Sequence, residues 1–187
     1  MLKGLFWLSV FGVLFSYFLY PLLLLLSPRR AGSADRSSLS ATRPRVSLIV
    51  TAHNEESRIR EKIENCLKLT FPDLELIIAS DASTDGTDEI VEAYKAQGVV
   101  LARADERKGK EFAQLQAIQK ASGEFLVFSD VATSIPEDAI EKMVRYFDDP
   151  AVGAVSSEDR FVSRDGSVVG EGAYVSYEMW LRGLESQ

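Results

Sequence analysis

The chain has 187 residues, 46% hydrophobic and 26% charged, enough for one medium globular domain with an appendage. Its net charge of −7 argues against a nucleic-acid-binding surface. A single cysteine, Cys66, and a single histidine, His53, leave no internal disulfide and too few ligands for a Cys/His zinc site.

In chain order, the first signal is apolar. From Gly4 through Pro28 no residue is charged, and that run exceeds the ~20 apolar residues that cross a bilayer core. Trp7 lies near one end, where interfacial aromatics sit. Arg29, Arg30, Arg36, Arg43 and Arg45 follow the run, against Lys3 and the terminal amine before it. The positive-inside rule therefore predicts a single-pass membrane anchor over residues 1–27, with the rest of the chain in the cytoplasm. A cleaved signal peptide is the competing reading, because Ala31-Gly32-Ser33-Ala34 supplies small residues. The run is longer than the ~7–15 residues of a signal core, which favours the anchor. Ser27 to Pro44 is rich in Ser, Ala, Arg and Pro and has no apolar periodicity, so residues 28–44 read as a linker.

Beyond the linker, short apolar runs alternate with amphipathic segments. Strands are expected at Val46–Val50, Leu74–Ala79, Val99–Ala102, Glu124–Ser129 and Val152–Ser156. Helices are expected at Glu56–Leu69, with Ile59, Ile63, Cys66 and Leu67 on one face, and at Asp88–Gln97, Glu111–Ala121 and Glu137–Asp148. Gly98 suits a helix stop and Pro136 a helix start. The run Phe125 to Phe128 predicts a strand buried on both faces, as in the middle of a parallel sheet. The final segment, Val168 to Gln187, carries Tyr177, Trp180 and Leu184 and reads as a helix. This alternation specifies an α/β domain over residues 45–187, a mostly parallel sheet with flanking helices.

Parallel strands gather their C-terminal ends on one edge, where α/β folds hold ligands. Four polar clusters fall there: Thr51-Ala52-His53-Asn54-Glu55, Ser80 to Thr87, Asp105 to Lys110, and Ser129-Asp130. Taken singly, each has a plain explanation. Asn54 could cap a helix, Ser83-Thr84-Asp85-Gly86 could be a turn, and Lys108 and Lys110 a solvated charge run. Jointly they suit a nucleotide diphosphate. Asp81 could accept a base N–H, Lys108 and Lys110 could neutralise phosphate, and Gly109 lets the backbone approach. Asp130 could contact a hard divalent cation. No glycine-rich dinucleotide or P-loop motif is present.

The segments VSLIVTAHNEE, IIASDASTDGTDEIV, KGK and FVFSD, with PEDAI after the last, resemble the family 2 glycosyltransferases of the Rossmann-like GT-A fold. EGAYVSYEMWLRGLES is similar to the membrane-associated polysaccharide synthases of that family. The resemblance runs from Val46 to Gln187. It implies an inverting transferase that uses a nucleotide-diphosphate sugar, UDP-linked, and a saccharide or lipid acceptor. Thr51, Ala52, Asn54 and Glu55 would line the nucleotide pocket, Asp81 would contact the base, and Lys110 would lie near the diphosphate. Asp130 would match the first aspartate of the family's Asp-x-Asp motif, which helps hold Mg²⁺ or Mn²⁺. Ala132 stands where the second aspartate belongs and offers no ligand. The family's catalytic base and its Gln-x-x-Arg-Trp motif are not recognisable, and Glu158-Asp159 falls too early. The base is therefore expected beyond Gln187, with this chain the N-terminal portion of a longer enzyme. A catalytically incomplete donor-binding fragment or partner subunit is the alternative. A nucleotidyltransferase of related fold is disfavoured, since Thr-Ala-His-Asn-Glu follows the first strand in place of a phosphate loop.

Overall fold

A computed structural model describes residues 2–26, 44–157 and 173–185. The described residues fall into two compact units, 44–155 in the first and 2–26 with 156–157 and 173–185 in the second.

The first unit holds four parallel strands: β1 (Val46–Ala52), β2 (Leu74–Ser80), β3 (Val100–Arg103) and β4 (Phe125–Asp130). They are ordered β3-β2-β1-β4, and the register sets Val46 against both Leu74 and Phe125, and Ile77 against Val100. β1 is central, and its Val46, Leu48, Ile49 and Val50 are all fully buried, as a strand covered on both faces requires.

One face carries Leu48, Val50, Ile78 and Val127 and packs on Ile59, Ile63 and Cys66 of α3 (Ile59–Leu67). Val91 of α4 (Thr87–Ala93) and Ile140 of α6 (Ala139–Val144) complete that layer. The opposite face presents Ile49, Ile77, Ala79 and Ala102 to Ala113 and Ala117 of α5 (Lys110–Ile118). The small alanines on both sides let this helix lie close to the sheet.

Four expectations change. β4 is not sheathed on both faces: it is an edge strand among the described residues, and its α5-side residues Leu126 and Phe128 are 38% and 48% exposed. Residues 152–157 form no strand, since no described segment offers them a ladder. Leu67 is exposed whereas Lys62, one turn after Ile59, is buried, so the inner face of α3 is Ile59, Lys62, Ile63 and Cys66. The remaining helices are shorter than periodicity implied, because α4 and α6 end in 3₁₀ turns at Lys95–Gln97 and Arg145–Asp148. The expected linker lies outside the described residues apart from Pro44, as does the acidic pair Glu158-Asp159.

The second unit contains a continuous helix, Leu2–Leu26, long and apolar enough to cross a membrane, with a mean hydropathy of 2.1. It comprises α1 (Leu2–Leu14), a π turn at Phe15–Leu19 and α2 (Tyr20–Leu26). Pro21 explains the irregularity: it lacks an N–H, so the Tyr17 carbonyl four residues earlier loses its helical donor. Tyr177 of α7 (Ala173–Glu185) fills that role, its hydroxyl donating to the Tyr17 carbonyl at 3.1 Å while the two rings stack. The Tyr20 hydroxyl donates to Glu185 Oε1 at 2.8 Å, a second tie between these helices.

Candidate functional site

The candidate nucleotide- and metal-site residues Thr51, Ala52, Asn54, Glu55, Asp81, Lys108, Lys110 and Asp130 lie at or just beyond the C-terminal ends of the parallel strands. β1 runs into residues 53–56 and β2 into residues 81–87, and hydrogen bonds stitch the two loops together. Asn54 N donates to Ser83 Oγ (3.2 Å), Glu55 N to Thr87 Oγ1 (2.8 Å) and Glu56 N to Asp85 Oδ2 (3.1 Å). In return Thr84 N donates to Asn54 Oδ1 (2.8 Å) and Gly86 N to Glu56 Oε2 (3.2 Å). Asp85 is held below the usual carboxylate range, chiefly by the Thr87 hydroxyl. His53 Nδ1 lies 2.8 Å from the Asp81 carbonyl, an acceptor, so that nitrogen donates. This is the tie that makes His53 a loop fastener.

The stitching has a conformational cost. Asn54 and Ala82 adopt left-handed backbone, with φ of 54° and 50°. Asn tolerates that region, whereas Ala is strained there by roughly 1–2 kcal/mol. Such strain concentrates at functional sites. Nothing in the sequence signals it at Ala82.

Asp81 follows β2 directly, its N–H bonded to the Ala52 carbonyl at 2.9 Å, and it is only 4% exposed. Its carboxylate accepts the N–H groups of Lys108 (3.0 Å to Oδ1) and Gly109 (3.0 Å to Oδ2). Gly109 reaches this position with φ 95°, which a residue with a Cβ rarely adopts. A carboxylate has about four lone-pair sites, so Asp81 retains capacity for a further donor. The Lys108 ammonium turns elsewhere, to Glu106 at 3.1 Å and over the Phe112 ring.

Lys110, the first residue of α5, reaches across to β4: its Nζ lies 2.6 Å from Asp130 Oδ1. Both side chains are more than half exposed, so this pair adds little stability and is available to a ligand. Asp130 is in register with Thr51 on β1. The Thr51 hydroxyl is buried without a hydrogen-bond partner. Glu55 Oε2 is likewise buried without a well-formed hydrogen bond, although Arg58 Nε lies 3.0 Å away. Buried polar atoms are ordinarily satisfied, and the Thr51 hydroxyl without a partner beside this edge suits a ligand-binding surface.

Behind this edge, Ser80 donates to Asp88 Oδ1 at 2.6 Å and Arg103 Nε lies 2.9 Å from Asp88 Oδ2. Arg103 also donates to the Ser83 carbonyl. Sequence reasoning missed this network, as it missed Lys62. For Lys62 a signal existed: a lysine at i+3 from Ile59 sits on an apolar stripe.

The profile described as Glycosyl transferase family 2 matches residues 47–169. Poly-beta-1,6-N-acetyl-D-glucosamine synthases of Staphylococcus aureus and Staphylococcus epidermidis are 28% identical over 134 residues, covering 71% of this chain and 32% of theirs. Among solved structures, the mannosyltransferase PcManGT of Pyrobaculum calidifontis, in complex with GDP-Man and Mn²⁺, superposes with a TM-score of 0.67 at 32% identity, over 81% of this chain and 45% of that one. Staphylococcus aureus TarS with UDP-GlcNAc gives 0.52 at 28% identity, over 56% and 31%. The chain spans about a third of the length of the curated relatives it matches.

Proposed function

The chain belongs to glycosyl transferase family 2, and we propose that its C-terminal sheet edge binds a nucleotide-diphosphate sugar, UDP-linked, for inverting transfer to a saccharide or lipid acceptor. The observation that carries this reading is the unpartnered Thr51 hydroxyl in register with an exposed Asp130–Lys110 pair. In this reading Lys110 neutralises the diphosphate and Asp81 takes a base N–H on its remaining lone pairs. Thr51, Ala52, Asn54 and Glu55 line the nucleotide pocket, and Lys108 adds positive charge at its margin. TarS binds UDP-GlcNAc and PcManGT binds GDP-Man, which makes the base the first point to test. Among the described residues we assign no catalytic base.

Whether a divalent cation fits is decided by the donor set. Asp130 supplies one carboxylate, Ala132 none, and no cluster of three or more His, Cys, Asp or Glu occurs among the described residues. Mg²⁺-type ions are commonly held by one or two carboxylates with substrate phosphates and water, so Asp130 with a diphosphate meets the minimum. Bound there, Mg²⁺ or Mn²⁺ would offset charge on the leaving diphosphate.

The helix Leu2–Leu26 is proposed to anchor the protein in a membrane over residues 1–27, joined by residues 28–44 to a cytoplasmic transferase portion, 45–187. The functional test uses the full chain in detergent, titrated with UDP-GlcNAc, UDP-glucose and GDP-mannose with Mn²⁺ and then with chelator. Saturable binding of a UDP-sugar is expected. A folded chain that binds none of the three would refute the proposal, and preference for the guanosine donor would overturn its UDP assignment.

A further inference from the structure

Lys62 is the one charged side chain among the buried residues of α3, and it is 2% exposed. Its ammonium makes two hydrogen bonds, to Ser129 Oγ at 2.8 Å and to the Thr133 carbonyl at 2.6 Å. Those partners flank Asp130, one residue before it and three after. Between them Thr133 N closes a turn onto the Asp130 carbonyl at 3.2 Å. Side chains alternate along β4, so Ser129 points toward α3 while Asp130 points to the α5 side, where Lys110 stands.

The rest of this loop is held by α3 and the turn after it in the same polar manner. Asn65 both donates to the Ile135 carbonyl and accepts its N–H, each at 2.9 Å. Thr70 bonds the Glu137 carbonyl through its N–H and its hydroxyl, each at 3.0 Å. Between α3 and residues 131–134 lies a small cleft of about 110 Å³, lined by Lys62 and Asn65, while Val131, next to Asp130, is buried in the core with Ile59 and Ile63, so the loop is held by one apolar side chain together with these polar bonds. Of these three fastenings, that of Lys62 is nearest Asp130.

A buried ammonium is an expensive way to fill a core position. Desolvation pulls the Lys62 pKa below the ordinary lysine value, although Cys66 and Asp130 nearby oppose the shift. A similarly sized apolar side chain would avoid that cost, and replacing buried charges with apolar groups is often neutral or stabilising. The lysine gives something methionine cannot: two directed donors spanning the turn.

We propose that Lys62 is a positioning residue for the donor site, its buried ammonium fixing the turn that presents Asp130 to Lys110. The proposal rests on the donor-binding reading of that edge. Lys62 touches no part of the substrate; it acts through Ser129 and Thr133.

The experiment is Lys62→Met in the full chain in detergent, with Ser129→Ala as a second variant that removes one partner and leaves the lysine. Amide hydrogen exchange of residues 130–135 is measured without ligand, alongside the melting temperature and titrations with UDP and with uridine. In Lys62→Met, exchange in that loop should quicken while the rest of the sheet is unchanged. UDP affinity should fall by about tenfold, as for loss of a charged hydrogen bond, with uridine affinity unmoved. Ser129→Ala should show a smaller change of the same kind. Unaltered loop exchange in Lys62→Met would overturn the proposal, as would a loss of UDP and uridine affinity in equal measure together with a global fall in melting temperature. If the variant does not fold, unaltered loop exchange in Ser129→Ala overturns the proposal and quickened exchange supports it. Failure of the wild-type chain to bind UDP would instead defeat the donor-site reading, and the exchange measurement would still decide whether Lys62 fixes the turn.

Discussion

At the N-terminal end of the sheet, Glu75 accepts the Ser47 hydroxyl at 2.6 Å and both the N–H and hydroxyl of Ser122, while Gly123 N donates to Ser47 Oγ at 2.8 Å. Arg45 sits 3.8 Å from Glu75. At the C-terminal end, Asn54 and Ala82 hold left-handed backbone, the Thr51 hydroxyl has no partner, and Lys110 meets Asp130 in the open. Both ends are polar and both belong to the same four strands. The first is closed on itself; the second keeps strain and unspent hydrogen-bonding capacity. On the proposed reading, polar residues at a sheet edge mark a site when their bonds are left unfinished, and a seam when they are complete.

The contrast can be broken most forcefully at the closed end. A Cβ on Gly123 would lie 2.5 Å from the Ser47 backbone nitrogen, a contact no side-chain motion relieves. Gly123→Ala is expected to destabilise by about 3 kcal/mol, as overpacking against a rigid neighbour does, measured by denaturant unfolding. A change below about 1 kcal/mol would show that the seam yields.

The next effect lies at the open end. Asp81→Ala removes the proposed base contact together with the anchor of Lys108 and Gly109. UDP affinity should fall about thirtyfold, or ~2 kcal/mol, with or without metal. Unchanged affinity would strip Asp81 of that role.

Glu75→Gln then sharpens the comparison through pH. Burial pushes the Glu75 carboxyl up, but the bonds from Ser47 and Ser122, with Arg45 nearby, outweigh it and hold the group below its usual range. The folded state therefore favours the ionised form, so its contribution is complete above the ordinary carboxylate range and is lost as pH falls through the depressed value. Glu75→Gln should cost about 1.5 kcal/mol at neutral pH and progressively less in acid. A difference that stays constant from pH 7 to pH 3 would contradict the sign.

The smallest effect is a gain. Ala82→Gly relieves a left-handed φ and should raise stability by about 1 kcal/mol, read from the shift in unfolding midpoint. A loss would mean that the Ala82 methyl contributes contacts worth more than the strain.

Much of this architecture was legible in the residues. The apolar runs of β1 and β2 announce central strands, and the polar text after them is what puts the candidate site at their C-terminal ends. The run of β4 misled because composition reports how apolar a strand is and not what covers it: Phe128 is as apolar as Ile49 but is 48% exposed where Ile49 is fully buried. Lys62 escaped notice because a lysine in a helix is usually solvated; only its place on the Ile59–Ile63–Cys66 stripe marks it as buried. The backbone bonds to Asp81 were illegible, since they join residues 27 and 28 positions apart and depend on how a loop closes. The left-handed backbone at Ala82 has no local sequence signature at all.

The most direct test of the account is calorimetric titration of UDP into the full chain and into Lys110→Ala, side by side in detergent. The exposed Lys110–Asp130 pair contributes less than about 1 kcal/mol to folding, so the variant should fold normally. Saturable UDP binding by the wild type, weakened about tenfold in Lys110→Ala, is the predicted result. Equal affinity in the two folded proteins, or no binding by either, would contradict the claim that this edge of the sheet receives the diphosphate.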